Sequence, residues 1–393
     1  MVELVFNAEA LRPPITGVGV YSYQLLRELL QREDIARVHC FSGTDWVAAA
    51  DAVQTAGHNM TAEKREQGTL AALTQRLRTV IGYVPGTKAL YDKVMDRRFR
   101  QYADSLAGAV YHETNYLLKP CALPAVITVH DLSHLKYPEF HKPDLVATLN
   151  RRLEDSVARC AHIITPSELV RAEVLENFSI DPSRVTAIYH GVEESYRPRD
   201  ADECAAVLQS LSLGYKRYVL VSATLEPRKG LDTLLDAWAI LPQELRRAYP
   251  LVLTGSSGWR NDALKKKMQP FLDDGTLLHL GYVDARILPD VFAGATLFAY
   301  PSVYEGFGLP ALDAMASGVP VICRAGTSVA EFAAGDCLLM EEGSGEELAT
   351  TLAALLQAPD QQASWAERGL TRAAQFSWQR CAAQTAAIYA AVS

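Results

Sequence analysis

Short apolar runs alternate with longer stretches of helical spacing through most of this chain, and that alternation constrains the fold more than any other feature. It is the pattern of strand–helix–strand units on parallel sheets, where each crossover needs a helix to return the chain. In the first half it predicts strands at Val2–Asn7, Arg37–Phe41, Ala125–His130, His162–Thr165 and Val185–Tyr189. Helices are predicted at Gly19–Leu30, Ala147–Ala161 and Ser167–Asn177, the last with a Ser cap after Pro166. In the second half, strands at Tyr218–Ser222, Leu251–Thr254, Leu277–Leu280, Ala295–Tyr300 and Pro320–Cys323 alternate with helices near Leu231–Leu241, Ala263–Phe271, Ala285–Ala293 and Pro310–Ser317. Between the halves, Glu193–Ala206 is polar, contains Pro198 and lacks periodicity, so it reads as a linker.

A length of 393 residues suits two domains rather than one core. The expectation is two doubly wound Rossmann-like α/β domains, residues 1–195 and 205–375, followed by a tail at 376–393. The net charge of −8 argues against a general nucleic-acid binder. Apolar runs such as Tyr218–Ala223 are far short of the roughly 20 residues that cross a membrane. Met1–Asn7 reads as a strand with Glu3 inside it rather than a secretory signal. Seven dispersed cysteines with no Cys/His cluster suit reduced thiols in a cytoplasm. Ligands of open parallel sheets bind where strands run into helices, so the loops at those edges are where chemistry is sought.

The most informative loop follows the strand ending at Tyr300 and reads Pro-Ser-Val-Tyr-Glu-Gly-Phe-Gly-Leu-Pro from Pro301 to Pro310. Glycines before a helix start let a ligand approach backbone N–H groups where the helix dipole favours an anion. Glu305 in this loop offers a carboxylate to sugar hydroxyls. A second loop, Ala223-Thr-Leu-Glu-Pro-Arg-Lys-Gly230, follows another strand and brings Arg228 and Lys229 to a helix start. Two cations there oppose the helix dipole, so an anionic partner such as a diphosphate explains them better than solvent does. A third turn, Thr16-Gly-Val-Gly-Val, opens the first helix, and His130-Asp131 ends the strand at Ala125–Val129.

Together these segments resemble glycosyltransferase family 4, a retaining family with the GT-B fold, across essentially the whole chain and most densely over Val221–Ile322. The resemblance implies that the two domains face each other across a cleft and that the terminal helix crosses back to the first. It implies that Glu305 binds the transferred sugar, while the backbone of Gly306, Phe307, Gly308 and Leu309 holds sugar hydroxyls and phosphate. Arg228 and Lys229 would neutralise the leaving diphosphate, Thr224 and Val283 would lie along the nucleotide, and His130 would touch the donor sugar. Gly17 and Gly19 would face the diphosphate and acceptor from the first domain. The family's second signature glutamate grips the ribose; here the position is Asp313, one methylene shorter. The family's frequent Arg after the second glycine is replaced by Val20.

No Asp-x-Asp metal site occurs at a strand end, so the expected transfer is metal-independent, with no cofactor beyond a nucleotide-sugar co-substrate. The details of the motifs look most like bacterial mannosyl- and rhamnosyltransferases of surface polysaccharide assembly. They imply GDP-mannose or a related GDP-sugar as donor and a saccharide or lipid-linked acceptor. A UDP-hexose donor is the alternative; a nucleotide-sugar epimerase of the same fold is the competing class. Finally, Lys64–Arg100 carries nine Lys or Arg against three acids, with Leu70, Leu73, Leu77 and Ile81 on one helical stripe. That stretch reads either as a core-facing surface helix or as a peripheral contact with anionic lipid on the inner face of the membrane.

Overall fold

The computed structural model describes residues 1–13, 15–61, 87–256 and 261–393. Most of the basic stretch 64–100, including its leucine stripe, lies outside the described residues. The first domain is built on β1 (Val2–Asn7), β2 (Ile35–Phe41), β3 (Trp46–Ala48), β4 (Val110–Glu113), β5 (Ala125–Thr128), β6 (His162–Thr165) and β7 (Val185–Ala187). Their spatial order is β3-β2-β1-β4-β5-β6-β7, parallel except for the antiparallel edge strand β3. The second domain carries β8 (Val219–Ser222), β9 (Leu251–Thr254), β10 (Leu277–Gly281), β11 (Leu297–Tyr300), β12 (Val321–Arg324) and β13 (Leu338–Met340). They run all parallel in the order β10-β9-β8-β11-β12-β13. Both sheets are doubly wound, as the alternating pattern predicted. Each has one point where the winding reverses: between β1 and β4 in the first, between β8 and β11 in the second.

Each sheet is buried on both faces. Leu4, Phe6 and Val110 face one layer of helices in the first domain, and Val5, Tyr111 and Ile127 face the other. In the second, Leu220 and Phe298 lie on one side and Val219, Val221 and Leu297 on the other. This is why the strands read as continuous apolar runs instead of alternating ones.

The predicted linker is too long. A helix spans Ala201–Ser210, opened by a capping box of Asp200 and Glu203, and its Cys204 and Leu208 join the second core. Two apolar contacts in ten residues were too few to show as periodicity. The terminal helix Trp378–Val392 does cross back. Trp378, Cys381, Ala382, Ala386 and Tyr389 pack into the first domain beside Tyr21 and Leu25. The Tyr389 hydroxyl meets His112 Nδ1 at 2.6 Å. Burying aromatic side chains of this size contributes on the order of 3 kcal/mol each, so this join between the domains is apolar and firm.

A candidate active site where the two sheet edges meet

The loops leaving β8 and β11 flank the reversal point of the second sheet, the crevice where such folds place ligands. After β8 the chain makes a 3-10 turn at Pro227–Lys229, and Gly230 adopts φ +65° before the helix Leu231–Ile240. A Cβ on Gly230 would lie 2.1 Å from the Pro301 carbonyl oxygen, so the two loops touch only because this residue is glycine. That contact brings the cations of one loop to the carboxylate of the other. Lys229 Nζ donates to Glu305 Oε1 at 2.6 Å, and the Arg228 guanidinium lies 3.4 Å from Oε2. The Tyr300 hydroxyl donates to Oε1 at 3.0 Å. Burial pushes the Glu305 carboxyl up, but Lys229 and Arg228 outweigh it and hold it below the usual carboxylate range. Burial likewise works against the Arg228 charge, and Glu305, Asp131 and Glu226 more than offset it. The result is an ionised Glu305 carboxylate, itself buried, held between the half-buried Arg228 and Lys229 side chains.

Glu305, Arg228 and Lys229 thus form one cluster, where the sequence motifs treated them as separate contacts. Ser328 Oγ reaches the carbonyls of both Glu305 and Phe307 and shapes the glycine loop from behind. Phe307 turns inward, stacked on Phe332 and packed beside His190, so it has only backbone to offer a ligand. Gly308, at φ +104°, caps the helix Leu309–Ala316. Thr224 and Val283 sit half-buried after β8 and β10, on the same sheet edge. Asp313 is half-buried on the helix; burial and the neighbouring Glu193 push its carboxyl well above the usual range.

The first domain supplies the facing wall. His130 is buried, and its Nε2 meets the Thr114 carbonyl at 2.8 Å. The acceptor is a carbonyl, so Nε2 carries the proton. Burial lowers its pKa, which leaves the ring neutral with Nδ1 as the remaining polar atom. Asp131 accepts from the Ser133 N–H and hydroxyl just ahead of the short helix Ser133–Lys136. It is also a charge neighbour of Arg228 across the domain junction, a role its loop position in the sequence did not signal. Gly17 and Gly19 open the helix Gly17–Leu29; a Cβ would be free at Gly17 but 2.5 Å from the Ala10 oxygen at Gly19.

At the reversal point of the first sheet lies a polar cavity of about 510 Å³, lined by Asn7, Thr16, Val18, Glu113, Asn115 and Lys119 among others. Glu113 accepts from Asn7 Nδ2, the Tyr111 hydroxyl and the Asn115 N–H. Burial pushes its carboxyl up to about 7, against the pull of those donors and Lys119. Thr114 links this cavity to His130, and the His130 carbonyl touches Gly306, so the two reversal points adjoin.

The comparisons with known proteins fit this geometry. Residues 15–196 match the model of Glycosyltransferase Family 4, and residues 209–372 match that of Glycosyl transferases group 1. Over 392 residues the chain is 33% identical to the O-antigen chain mannosyltransferase B of Escherichia coli, covering 99% of each. The chain belongs to glycosyltransferase family 4. This glycosyltransferase is also 28% identical over 243 residues to the MMP alpha-(1->4)-mannosyltransferase of Mycolicibacterium hassiacum, covering 60% of this chain and 56% of that one. Among solved structures it resembles Anabaena HepE in complex with UDP and glucose, with a TM-score of 0.71 over the full length of both chains at 18% identity. At that identity the likeness speaks for the GT-B fold alone.

Proposed function

We propose that this glycosyltransferase moves a mannosyl or deoxymannosyl unit from a GDP-sugar to a saccharide or lipid-linked acceptor, with retention, in surface polysaccharide assembly. The observation that carries the reading is the Glu305–Lys229–Arg228 cluster at one reversal point, set against the polar cavity at the other. The full-length likeness to an O-antigen mannosyltransferase supports the choice of sugar. Transfer makes the anomeric carbon cationic while the diphosphate leaves as an anion. Arg228 and Lys229 stabilise that anion, and Glu305 stabilises the sugar through hydroxyls whose hydrogen bonds strengthen as charge develops. No metal is needed on this account, because two fixed cations already meet the diphosphate. The cavity takes the acceptor saccharide, its hydroxyls meeting Asn7, Asn115 and the remaining lone pair of Glu113.

The test is a transfer assay with GDP-mannose, GDP-rhamnose and UDP-glucose, run with a mannose-terminated oligosaccharide in EDTA and read by mass spectrometry and anomeric NMR. An α-mannosylated product from GDP-mannose is expected. Transfer only from UDP-glucose would replace the donor, and activity restored only by manganese would overturn metal independence. Among the described residues no helix is long and apolar enough to cross a membrane. Contact with a lipid-linked acceptor is assigned to the basic stretch 64–100. Sedimentation with anionic vesicles that weakens with salt is expected, and equal sedimentation with neutral vesicles would count against it.

A further inference from the structure

The loop that carries Glu305 is held by the first domain as well as by its own. A helix of the first domain, Glu168–Asn177, presents three anchors to the second. Its cap residue Ser167 donates through Oγ to the Gly306 carbonyl at 2.8 Å. Its first two N–H groups, from Glu168 and Leu169, each donate at 2.7 Å to the Glu331 carboxylate, which stands on the second-domain helix Ser328–Ala333. One turn further on, Glu173 accepts from the hydroxyl of Tyr304, the residue before Glu305. Lys136 fixes the other oxygen of Glu173 at 2.7 Å, and Tyr304 in turn accepts from the Leu132 N–H at 2.9 Å. Glu331 also accepts from the Tyr189 hydroxyl at 2.8 Å, beside the interdomain connection.

These anchors differ in kind from the join made by the terminal helix. That one is mainly apolar, whereas these add directional hydrogen bonds to rings that also pack across the junction, Tyr304 on Tyr137 and Phe307 beside Tyr189. A carboxylate from one domain fills the N–H groups at the start of a helix in the other, where the dipole also favours it. The arrangement forms only when the two domains are closed. Ser328, at the start of the Glu331 helix, holds the carbonyls of Glu305 and Phe307, so movement of that helix is passed to the catalytic loop.

We propose that Glu331 and Tyr304 are positioning residues: through the helix Glu168–Asn177 they fix the Glu305 loop in its closed arrangement, without touching substrate. Their effect on transfer rests on the function proposed above; their effect on the loop does not. The experiment therefore has two readouts on the full chain, hydrogen exchange and steady-state kinetics, applied to Glu331→Ala, Glu331→Gln and Tyr304→Phe. In the wild type, the amides of residues 168–169 and 303–308 are expected to be protected. In Glu331→Ala both segments should exchange faster, although 303–308 contains no partner of Glu331. Hydrogen bonds to a charged group are strong enough that kcat should fall about 10-fold while donor KM changes less than about 3-fold. Glu331→Gln keeps one acceptor oxygen and should recover part of kcat; Tyr304→Phe keeps the ring and should speed exchange of residues 303–308. Faster exchange confined to residues 168–170, or kcat within about twofold of wild type in both Glu331→Ala and Tyr304→Phe, would overturn the proposal. If the wild type transfers no sugar at all, the functional reading fails and the exchange data still decide the positioning.

Discussion

Lys229 and Arg228 are both engaged by a carboxylate, since Glu305 lies 2.6 Å from one and 3.4 Å from the other. A ligand must share these cations with Glu305, so the acid both binds sugar and moderates the grip on the nucleotide. Removing it should separate the two effects. In Glu305→Ala turnover is expected to fall at least about 10-fold, since hydrogen bonds to a charged group are worth about 1.5–3 kcal/mol and about 1.4 kcal/mol is a decade. Nucleoside diphosphate affinity should hold or rise, because two half-buried cations lose their anion. Asp313→Ala should mainly weaken nucleotide binding, and Asp313→Glu should bind as well or better. Kinetics and calorimetry on the three variants check this; near-normal turnover in Glu305→Ala would remove the loop from the chemistry. Glu305, Arg228 and Lys229 stood out in the sequence because cations at a helix start and an acid just ahead of two glycines are each unusual. Glu113 did not. It ends a strand whose His112 and Glu113 are polar yet buried, and polar residues in a short run read as loop.

At the scale of elements, the strands that the sequence showed best are buried throughout and built around Val, Leu or Ile, such as β9 and β6, and their bounds match the structure. Those it missed are β3, β4 and β13: β3 and β13 are apolar but only three residues long, and β4 ends in the polar pair His112 and Glu113. Register and cross-domain contact leave no local trace at all. The Gly306 turn is the clearest case. Its glycine looked like a phosphate-binding device, yet a Cβ there would lie 1.8 Å from the His130 carbonyl oxygen, backbone against backbone. The residue is therefore also what lets the two domains meet. Gly306→Ala should force the loop off the His130 strand end. Turnover is expected to drop more than about 100-fold, as a displacement near 1 Å in a reacting site does. The far-ultraviolet circular dichroism spectrum should stay unchanged. Retained activity would show that the closed contact is dispensable.

For the whole molecule, the two domains meet through the apolar join of the terminal helix and through a second set of contacts in which hydrogen bonds sit beside packed rings. The alternating pattern revealed the two-domain plan, but not which contacts across the cleft are permanent, because that depends on residues nearly 280 positions apart, such as His112 and Tyr389. The terminal helix carries a further consequence for how the chain is made. A ribosome finishes the first sheet near residue 187, yet the helix that covers one of its faces emerges only after the second domain. Until then the surface that receives Trp378 and Tyr389 is bare, and only folding of the whole second domain can deliver its cover. The nascent first half should thus bind chaperones and aggregate when released alone, as an exposed apolar face of that size does. A fragment ending at residue 199 should become soluble when a peptide spanning residues 376–393 is supplied in trans; solubility without it would show that the first domain closes its own core.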